Sequence, residues 1–244
     1  MTGDSFSFIK NVYIVKGVII IFILTKYCRA DAAMLISHKH KFIFIHIAKT
    51  GGSSVSHALM PYCRPRIFQK LHNYFHLLNI NIFKPFPYEG HISARKLAHE
   101  LGTDTFQKYF SFSMVRNPWD WQLSMYFFML SRPKHPTHDT IKNLGSFENY
   151  IRWRSEIGMH SQKALLSNKE GKLIVDYVGR FEELQKHFDT VCEKIGVKAD
   201  LPHKKFLKKK KPYQHYYSDK SRDLVAEFSK EDIDYFGYRF EQEE

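Results

Sequence analysis

Short β-prone runs alternate with helix-like stretches along most of the chain. Residues 42–45 form a continuous apolar run, and residues 110–115 form a second run of the buried-strand type. Strands that are apolar on both sides belong in parallel sheets that are covered by helices. Residues 173–178 predict a third short strand. The alternation therefore predicts an α/β layered fold with a parallel sheet.

The predicted helices fall between and after these strands. Ser93 fits an N-cap and Gly196 fits a C-terminal stop for two of them. Prolines break residues 61–89 into a loop-rich excursion, and residues 131–144 predict a further loop. We expect these two segments to decide which acceptor binds. The predicted helices are 55–60, 93–101, 119–130, 147–154, 162–166, 182–195 and 218–228.

The N-terminal stretch interrupts this alternation. Residues 12–24 are largely apolar but contain Lys16, and the run is shorter than the about 20 residues that a spanning helix needs. A signal anchor, a signal peptide and an extension outside the working protein are the open interpretations. We divide the chain into an N-terminal extension, 1–33, and a domain, 34–244. A cytoplasmic location is favoured, with a single-pass membrane protein as the alternative.

The composition is that of one strongly basic domain. The 244 residues suit one compact domain. The net charge of +12 at pH 7 indicates anionic partners, such as phosphate-bearing cofactors, acidic glycans, membrane surfaces or nucleic acid. The three cysteines form no C-x-x-C pair, so we expect reduced thiols and no zinc site.

A glycine-containing loop follows the first predicted strand and leads into a helix. Gly51 and Gly52 let the backbone approach an anion closely, and Lys49 adds a positive charge. Serine hydroxyls at the start of the helix provide further donors. The segment predicts a phosphate- or sulfate-binding loop, with candidate residues Lys49, Thr50, Gly51, Gly52, Ser53 and Ser54.

A second candidate anion site follows the second predicted strand. Arg116 ends that strand, so we expect it at the same sheet edge as the loop, where its guanidinium can bind a second phosphate. Ser124 adds a hydroxyl two helical turns later. Taken alone, this segment also fits an N-capped helix with a structural arginine.

Two other functions compete at this point. A nucleotide kinase loop places its lysine after the second glycine, whereas Lys49 precedes both glycines, and no later strand supplies a Walker B aspartate. A nucleic-acid-binding protein fits the net charge. Against it, the basic residues do not interleave with exposed aromatics in a recognisable module.

The two candidate anion segments, in this order, resemble the sulfotransferase family. The resemblance is strongest to its carbohydrate-type (sulfotransferase 2) branch and the bacterial members of that branch. It runs from about residue 34 to residue 240 and rests on Lys-Thr-Gly-Gly-Ser after one strand and Arg-Asn-Pro-x-x-x-x-x-Ser-x-Tyr after a later one. It implies a P-loop-like three-layer sandwich, with a central mostly parallel sheet flanked by helices.

The resemblance also implies a reaction. The donor is 3′-phosphoadenosine 5′-phosphosulfate (PAPS), whose phosphosulfate binds the Lys49 loop and whose 3′-phosphate binds Arg116 and Ser124. Lys49 and His91 are the expected catalytic residues, with His91 as the base that deprotonates a hydroxyl acceptor. The acceptor is expected to be a carbohydrate.

Further expectations concern the lysine run, two departures from the pattern of the family, and the partners. The lysine run 208–211 either covers the 3′-phosphate of the donor or binds an acidic acceptor glycan, and we assign Lys210 and Lys211 to the donor. Many relatives have arginine in place of Trp121 and proline in place of Ala48. No metal and no nucleic acid partner is expected. A relative that binds the donor without catalysis is a further alternative.

Overall fold

The structure is a computed structural model. It describes residues 35–63, 92–158, 161–202 and 211–241, together with the backbone of two short strands near the N-terminus. These strands, β1 (Val12–Val15) and β2 (Val18–Ile21), pair antiparallel within the apolar segment 12–24. No helix in the described part of the chain combines the length and apolar character needed to cross a membrane.

A four-stranded sheet forms the centre of the fold, in the order β3-β4-β5-β6. Its strands are β3 (Leu35–Ser37), β4 (Phe42–Ile45), β5 (Phe110–Val115) and β6 (Tyr177–Arg180). The last three strands are parallel, with Ile45 opposite Ser113 and Val115 opposite Arg180. β3 was not predicted, and it adds an antiparallel edge.

Helices connect and cover these strands. They are α1 (Gly52–Cys63), α2 (Ala94–Leu101), α3 (Thr103–Lys108), α4 (Pro118–Leu130), α5 (His138–Asn143), α6 (Phe147–Ile157), α7 (Gln162–Leu166), α8 (Leu184–Ile195), α9 (Asp219–Phe228) and α10 (Lys230–Phe236). Short 3-10 turns, Phe181–Glu183 and Tyr213–Tyr216, precede α8 and α9. Two predicted caps are confirmed. The Ser93 hydroxyl accepts a hydrogen bond from the Lys96 N–H at 3.3 Å, and left-handed Gly196 ends α8.

The side chains of β4 alternate between two hydrophobic cores. Phe42 and Phe44 face one core, together with side chains of α1 and α8. Ile43 and Ile45 face the other, together with side chains of α2, α3 and α7. A third cluster joins α4, α6 and α9. Because neighbouring residues of a strand point to opposite faces, helices cover both sides of the sheet. The predicted three-layer α/β sandwich is therefore confirmed.

The third parallel strand begins later than predicted. The sequence prediction was 173–178, whereas β6 begins at Tyr177. Asp176 sets this start, because its carboxylate accepts hydrogen bonds from the backbone N–H and the hydroxyl of Ser111 at 2.7 and 2.8 Å. Leu173 instead forms an isolated antiparallel bridge with Ser167.

Several helices also differ from the prediction, and α10 was not among the predicted helices. α1 begins at Gly52 and continues to Cys63, with Pro61 exposed in its last turn and Leu59 and Cys63 buried. The predicted loop 131–144 contains α5, and α3 was not predicted at all. Most of the predicted loop-rich excursion, 64–89, lies outside the described residues.

Candidate functional site

Three parallel strands end at one edge of the sheet, and each is followed by candidate or supporting residues. β4 leads into the loop 46–51, β5 into Arg116 and β6 into Phe181. In open α/β sheets, ligands bind outside the carboxyl ends of the strands. The Arg116 guanidinium carbon lies 4.1 Å from the centre of the Phe181 ring. The second and third strand ends are therefore in direct contact.

The loop after β4 has a backbone shape suited to an anion. Lys49 has a φ of 65° and Gly51 a φ of 83°, and this left-handed conformation is uncommon for a residue other than glycine. The Ser54 N–H donates to the Gly51 carbonyl at 2.9 Å and starts α1. In the described part of the chain, the N–H groups of Gly51, Gly52 and Ser53 meet no hydrogen-bond acceptor. These open donors stand at a helix N-terminus, which favours an anion.

Two glycines allow this loop to pack closely on its surroundings. A Cβ atom added at Gly52 would lie 1.9 Å from Cδ2 of the His46 imidazole. A Cβ atom added at Gly51 would lie 2.7 Å from a methyl carbon of Leu184. His46 is buried, and its ring stacks on Phe44 with 5.9 Å between ring centres. Because the His46 ring is packed in this way, the loop can approach it this closely only with glycine at position 52.

Two hydrogen bonds from the start of α4 hold the loop by its carbonyl groups. Trp121 Nε1 donates to the Ala48 carbonyl at 2.7 Å. Arg116 Nη1 donates to the Lys49 carbonyl at 3.0 Å across 67 residues of sequence. The two predicted anion motifs are therefore one connected unit.

Arg116 is held on several sides. Its Nε donates to Asp120 Oδ2 at 2.6 Å, as part of an ion pair in the first turn of α4. Its backbone N–H donates to Gln162 Oε1 at 2.9 Å, and its carbonyl accepts from Gln162 Nε2 at 2.8 Å. Arg116 is 6% exposed. It is thus both a structural residue and a cation in a preorganised position at the sheet edge.

Lys49 carries its charge in an unfavourable environment. The side chain is half-buried, and its ammonium lies 4.7 Å from the centre of the Phe128 ring. Burial lowers the pKa of Lys49, and the positive charges of Arg116 and Arg132 lower it further. In the described part of the chain, no carboxylate pairs with Lys49. A bound anion would relieve this electrostatic cost.

The hydroxyl groups of the two motifs differ in placement. Thr50 is fully buried, and its hydroxyl donates to the Ile47 carbonyl at 2.9 Å, which leaves its backbone N–H as the group available to a ligand. Ser53 is exposed, whereas Ser54 is 5% exposed. Ser124 is half-buried on α4, one turn beyond the Asp120 partner of Arg116.

Two predicted site residues, His91 and Lys210, lie outside the described residues. Lys211 is described and exposed, and it precedes the 3-10 turn Tyr213–Tyr216. The Tyr213 hydroxyl accepts from Asn117 Nδ2 at 3.3 Å, so this turn packs near the start of α4. The described residues contain no group of three or more His, Cys, Asp or Glu side chains arranged to hold a metal ion.

Sequence reasoning missed the residues that support Arg116 from other elements. Phe181 lies under its guanidinium, and its position directly after the third parallel strand was the available signal. Gln162 lies 46 residues away in α7, and nothing local marks it. The Glu182 carboxylate accepts from the Asn117 N–H at 2.6 Å, while burial raises the pKa of Glu182.

Comparison with known proteins shows the family. The model of the sulfotransferase family matches residues 32–239 of the chain, which include every predicted site residue. No curated protein matches the chain.

Proposed function

Because this chain belongs to the sulfotransferase family, we propose that it transfers the sulfuryl group of PAPS to a hydroxyl group of a carbohydrate. The observation that carries the donor assignment is the 3.0 Å hydrogen bond from Arg116 Nη1 to the Lys49 carbonyl. It connects the two predicted anion-binding segments and supports one site that contains both cations. A donor that carries a phosphosulfate and a separate phosphate matches this pair.

The donor would lie across the carboxyl edge of the sheet. The open N–H groups of the loop, with Ser53 and Ser54, would hold the phosphosulfate, since they stand at the N-terminus of α1. Arg116 and Ser124 would hold the 3′-phosphate, because a guanidinium binds phosphate through two hydrogen bonds. Lys210 and Lys211 are proposed to cover that phosphate.

The reaction would be an in-line transfer. The acceptor oxygen forms a bond to sulfur, and the bond from sulfur to the bridging oxygen breaks, so that the electron pair leaves with the bisphosphate product. Lys49 would stabilise the charge that develops on that bridging oxygen. His91 would take the proton of the acceptor hydroxyl. The role of His91 rests on the resemblance of its Gly-His segment to the family.

The carbohydrate acceptor and the domain limits are inferences from sequence. The resemblance to the carbohydrate-type branch and its bacterial members supports a glycan acceptor, and the net charge of +12 is compatible with an acidic one. Residues 34–244 are proposed as the sulfotransferase domain and residues 1–33 as an extension. A cytoplasmic location is proposed for the working protein, with membrane association through residues 12–25 as the alternative.

Calorimetry separates the proposed donor from its competitors. The desulfated product, 3′-phosphoadenosine 5′-phosphate (PAP), should bind with a Kd of about 1 μM or lower, while ATP with Mg²⁺ should not bind measurably. Tight ATP binding without PAP binding would favour a nucleotide kinase. Steeply salt-dependent binding to DNA or RNA, again without PAP binding, would favour a nucleic-acid-binding protein.

A radiolabel tests the acceptor. With PAPS carrying a labelled sulfuryl group, label should appear on polysaccharides rather than on small alcohols or a tyrosine peptide. Label on the peptide alone would exclude a carbohydrate acceptor. The variant His91→Ala should still bind PAP but should transfer label at least about 100-fold more slowly. An unchanged transfer rate would remove His91 from the mechanism.

A further inference from the structure

The side chains along one ridge of α4 connect the described cations of the site. Residues four apart on a helix are neighbours and form such a ridge. On α4 the ridge consists of Asp120, Ser124 and Phe128, and Arg116 and Arg132 continue the four-residue spacing just before and just after the helix. Two steps are direct contacts: Arg116 pairs with Asp120, and the Arg132 guanidinium carbon lies 4.5 Å from the centre of the Phe128 ring. The ridge extends beyond the predicted donor residues by Phe128 and Arg132.

Lys49 contacts this ridge at Phe128. The Lys49 ammonium and the Arg132 guanidinium contact the same ring, at 4.7 and 4.5 Å from its centre. Arg132 is exposed and, within the described residues, forms no ion pair with a carboxylate. Two cations that share one aromatic ring repel each other, and an anion between or beside them would offset that repulsion.

The order of cations along α4 matches the order of anionic groups in the proposed donor. Arg116 precedes the first turn of α4, and Arg132 follows its last turn, so that the two flank a helix of 13 residues, which is about 20 Å long at 1.5 Å per residue. The Lys49 backbone contacts Arg116, whereas its ammonium reaches Phe128. PAPS likewise presents its 3′-phosphate, its 5′-phosphate and its terminal sulfuryl group in sequence.

We propose that Arg132 is a further donor-binding residue, whose guanidinium binds non-bridging oxygens of the sulfuryl group that is transferred. The inference rests on the proposed function. Arg132 shares the Phe128 ring with the Lys49 ammonium and follows the end of α4 opposite to Arg116, so the terminal group of the donor would extend toward it. Its planar fork would hold two sulfuryl oxygens, while Lys49 would contact the bridging oxygen. Arg132 would thus keep sulfur in line with the incoming hydroxyl oxygen as the old bond breaks and the new one forms.

Comparing PAPS with PAP tests this inference, because PAP lacks only the sulfuryl group. In calorimetry without acceptor, Arg132→Ala should weaken PAPS binding about 10-fold, the effect of one lost charge-assisted contact. Its affinity for PAP should stay within about two-fold of the original. Arg132→Lys should bind PAPS with an affinity between those of the original protein and Arg132→Ala. Lys134→Ala is the matched control, because it removes a nearby exposed charge, and it should change neither affinity.

The outcomes separate this inference from the proposed function. If the unchanged protein binds neither PAP nor PAPS, the proposed function is wrong. If it binds both and Arg132→Ala lowers the two affinities equally, Arg132 acts only by long-range electrostatic attraction, and the inference fails. The inference also fails if both affinities are unchanged, including the case in which only the KM for the acceptor rises. Selective loss of PAPS affinity supports it.

Discussion

The ends of β4 and β5 carry the two halves of the proposed site, and they hold their cations in different ways. After β4, the protein holds the loop by the carbonyls of Ala48 and Lys49, while the Lys49 ammonium forms no ion pair in the described part of the chain. After β5, Arg116 is fixed through its side chain and its backbone. The comparison indicates that Arg116 holds the β4 loop in place in addition to its proposed contact with the 3′-phosphate, whereas the charge of Lys49 is left for the phosphosulfate.

Lys49→Ala should produce the largest effect. The substitution removes the cation that would stabilise the leaving oxygen, so turnover should fall by about 1000-fold while the melting temperature changes little. Lys41→Ala is a matched control, because Lys41 is the other described residue, apart from glycines, with a positive φ, and it lies in the exposed turn between β3 and β4. Comparable activity in both variants would remove Lys49 from the site.

Gly52→Ala tests whether the shape of the β4 loop matters as much as its charge. The new Cβ would collide with the His46 imidazole, so the affinity for PAP should fall about 10- to 100-fold, the cost of moderate overpacking. Adding His46→Ala removes the obstacle and should restore much of that affinity. If the double variant binds PAP no better than Gly52→Ala, the contact with His46 does not position the loop.

Arg116→Lys tests the other strand end. Lysine keeps the charge beside Asp120 but loses the planar fork that reaches both Asp120 and the Lys49 carbonyl. We expect PAP to bind about 10-fold more weakly, measured by calorimetry. This change is preferable to alanine, which would leave buried Asp120 without its ion-pair partner. Unchanged PAP affinity would reduce Arg116 to a structural role.

The decrease of PAP affinity at high pH should report the electrostatic environment of Lys49. Its lowered pKa means that the ammonium loses its proton at a lower pH than an ordinary lysine. PAP affinity should therefore be full at neutral pH and fall as the pH rises through that lowered pKa. Arg132→Gln removes one of the repelling charges, so the fall should move to higher pH, whereas Lys134→Gln should leave it in place. A shift in the opposite direction would contradict this electrostatic account.

The sequence predicted the two motifs because the relevant signals are local. Lys49 and Arg116 each follow an apolar strand directly, and parallel strands bring such residues to one edge. The residues that join the motifs could not be predicted in this way. Gln162 and Phe181 reach Arg116 from distant parts of the chain, and only the packed fold shows the contact.

Phe128 and Arg132 illustrate a different limit. Phe128 follows Ser124 by four residues and Arg132 follows Phe128 by four, which is visible in the sequence, but the surrounding aromatic-rich segment is also typical of a packed helix. Only the approach of the Lys49 ammonium to the Phe128 ring relates this end of α4 to the site. The late start of β6 also depends on a contact between segments that are distant in sequence, because Asp176 sets it through contacts with Ser111 on another strand.

Sulfuryl transfer from PAPS tests the central claim most directly. The full chain is incubated with PAPS and a panel of polysaccharides, and the acceptor mass and the release of PAP are followed together. The account predicts that an acceptor gains the mass of a sulfuryl group with equimolar release of PAP, and that Lys49→Ala abolishes both. A protein that binds PAP yet transfers no sulfuryl group, or one whose Lys49→Ala variant transfers at the original rate, would contradict it.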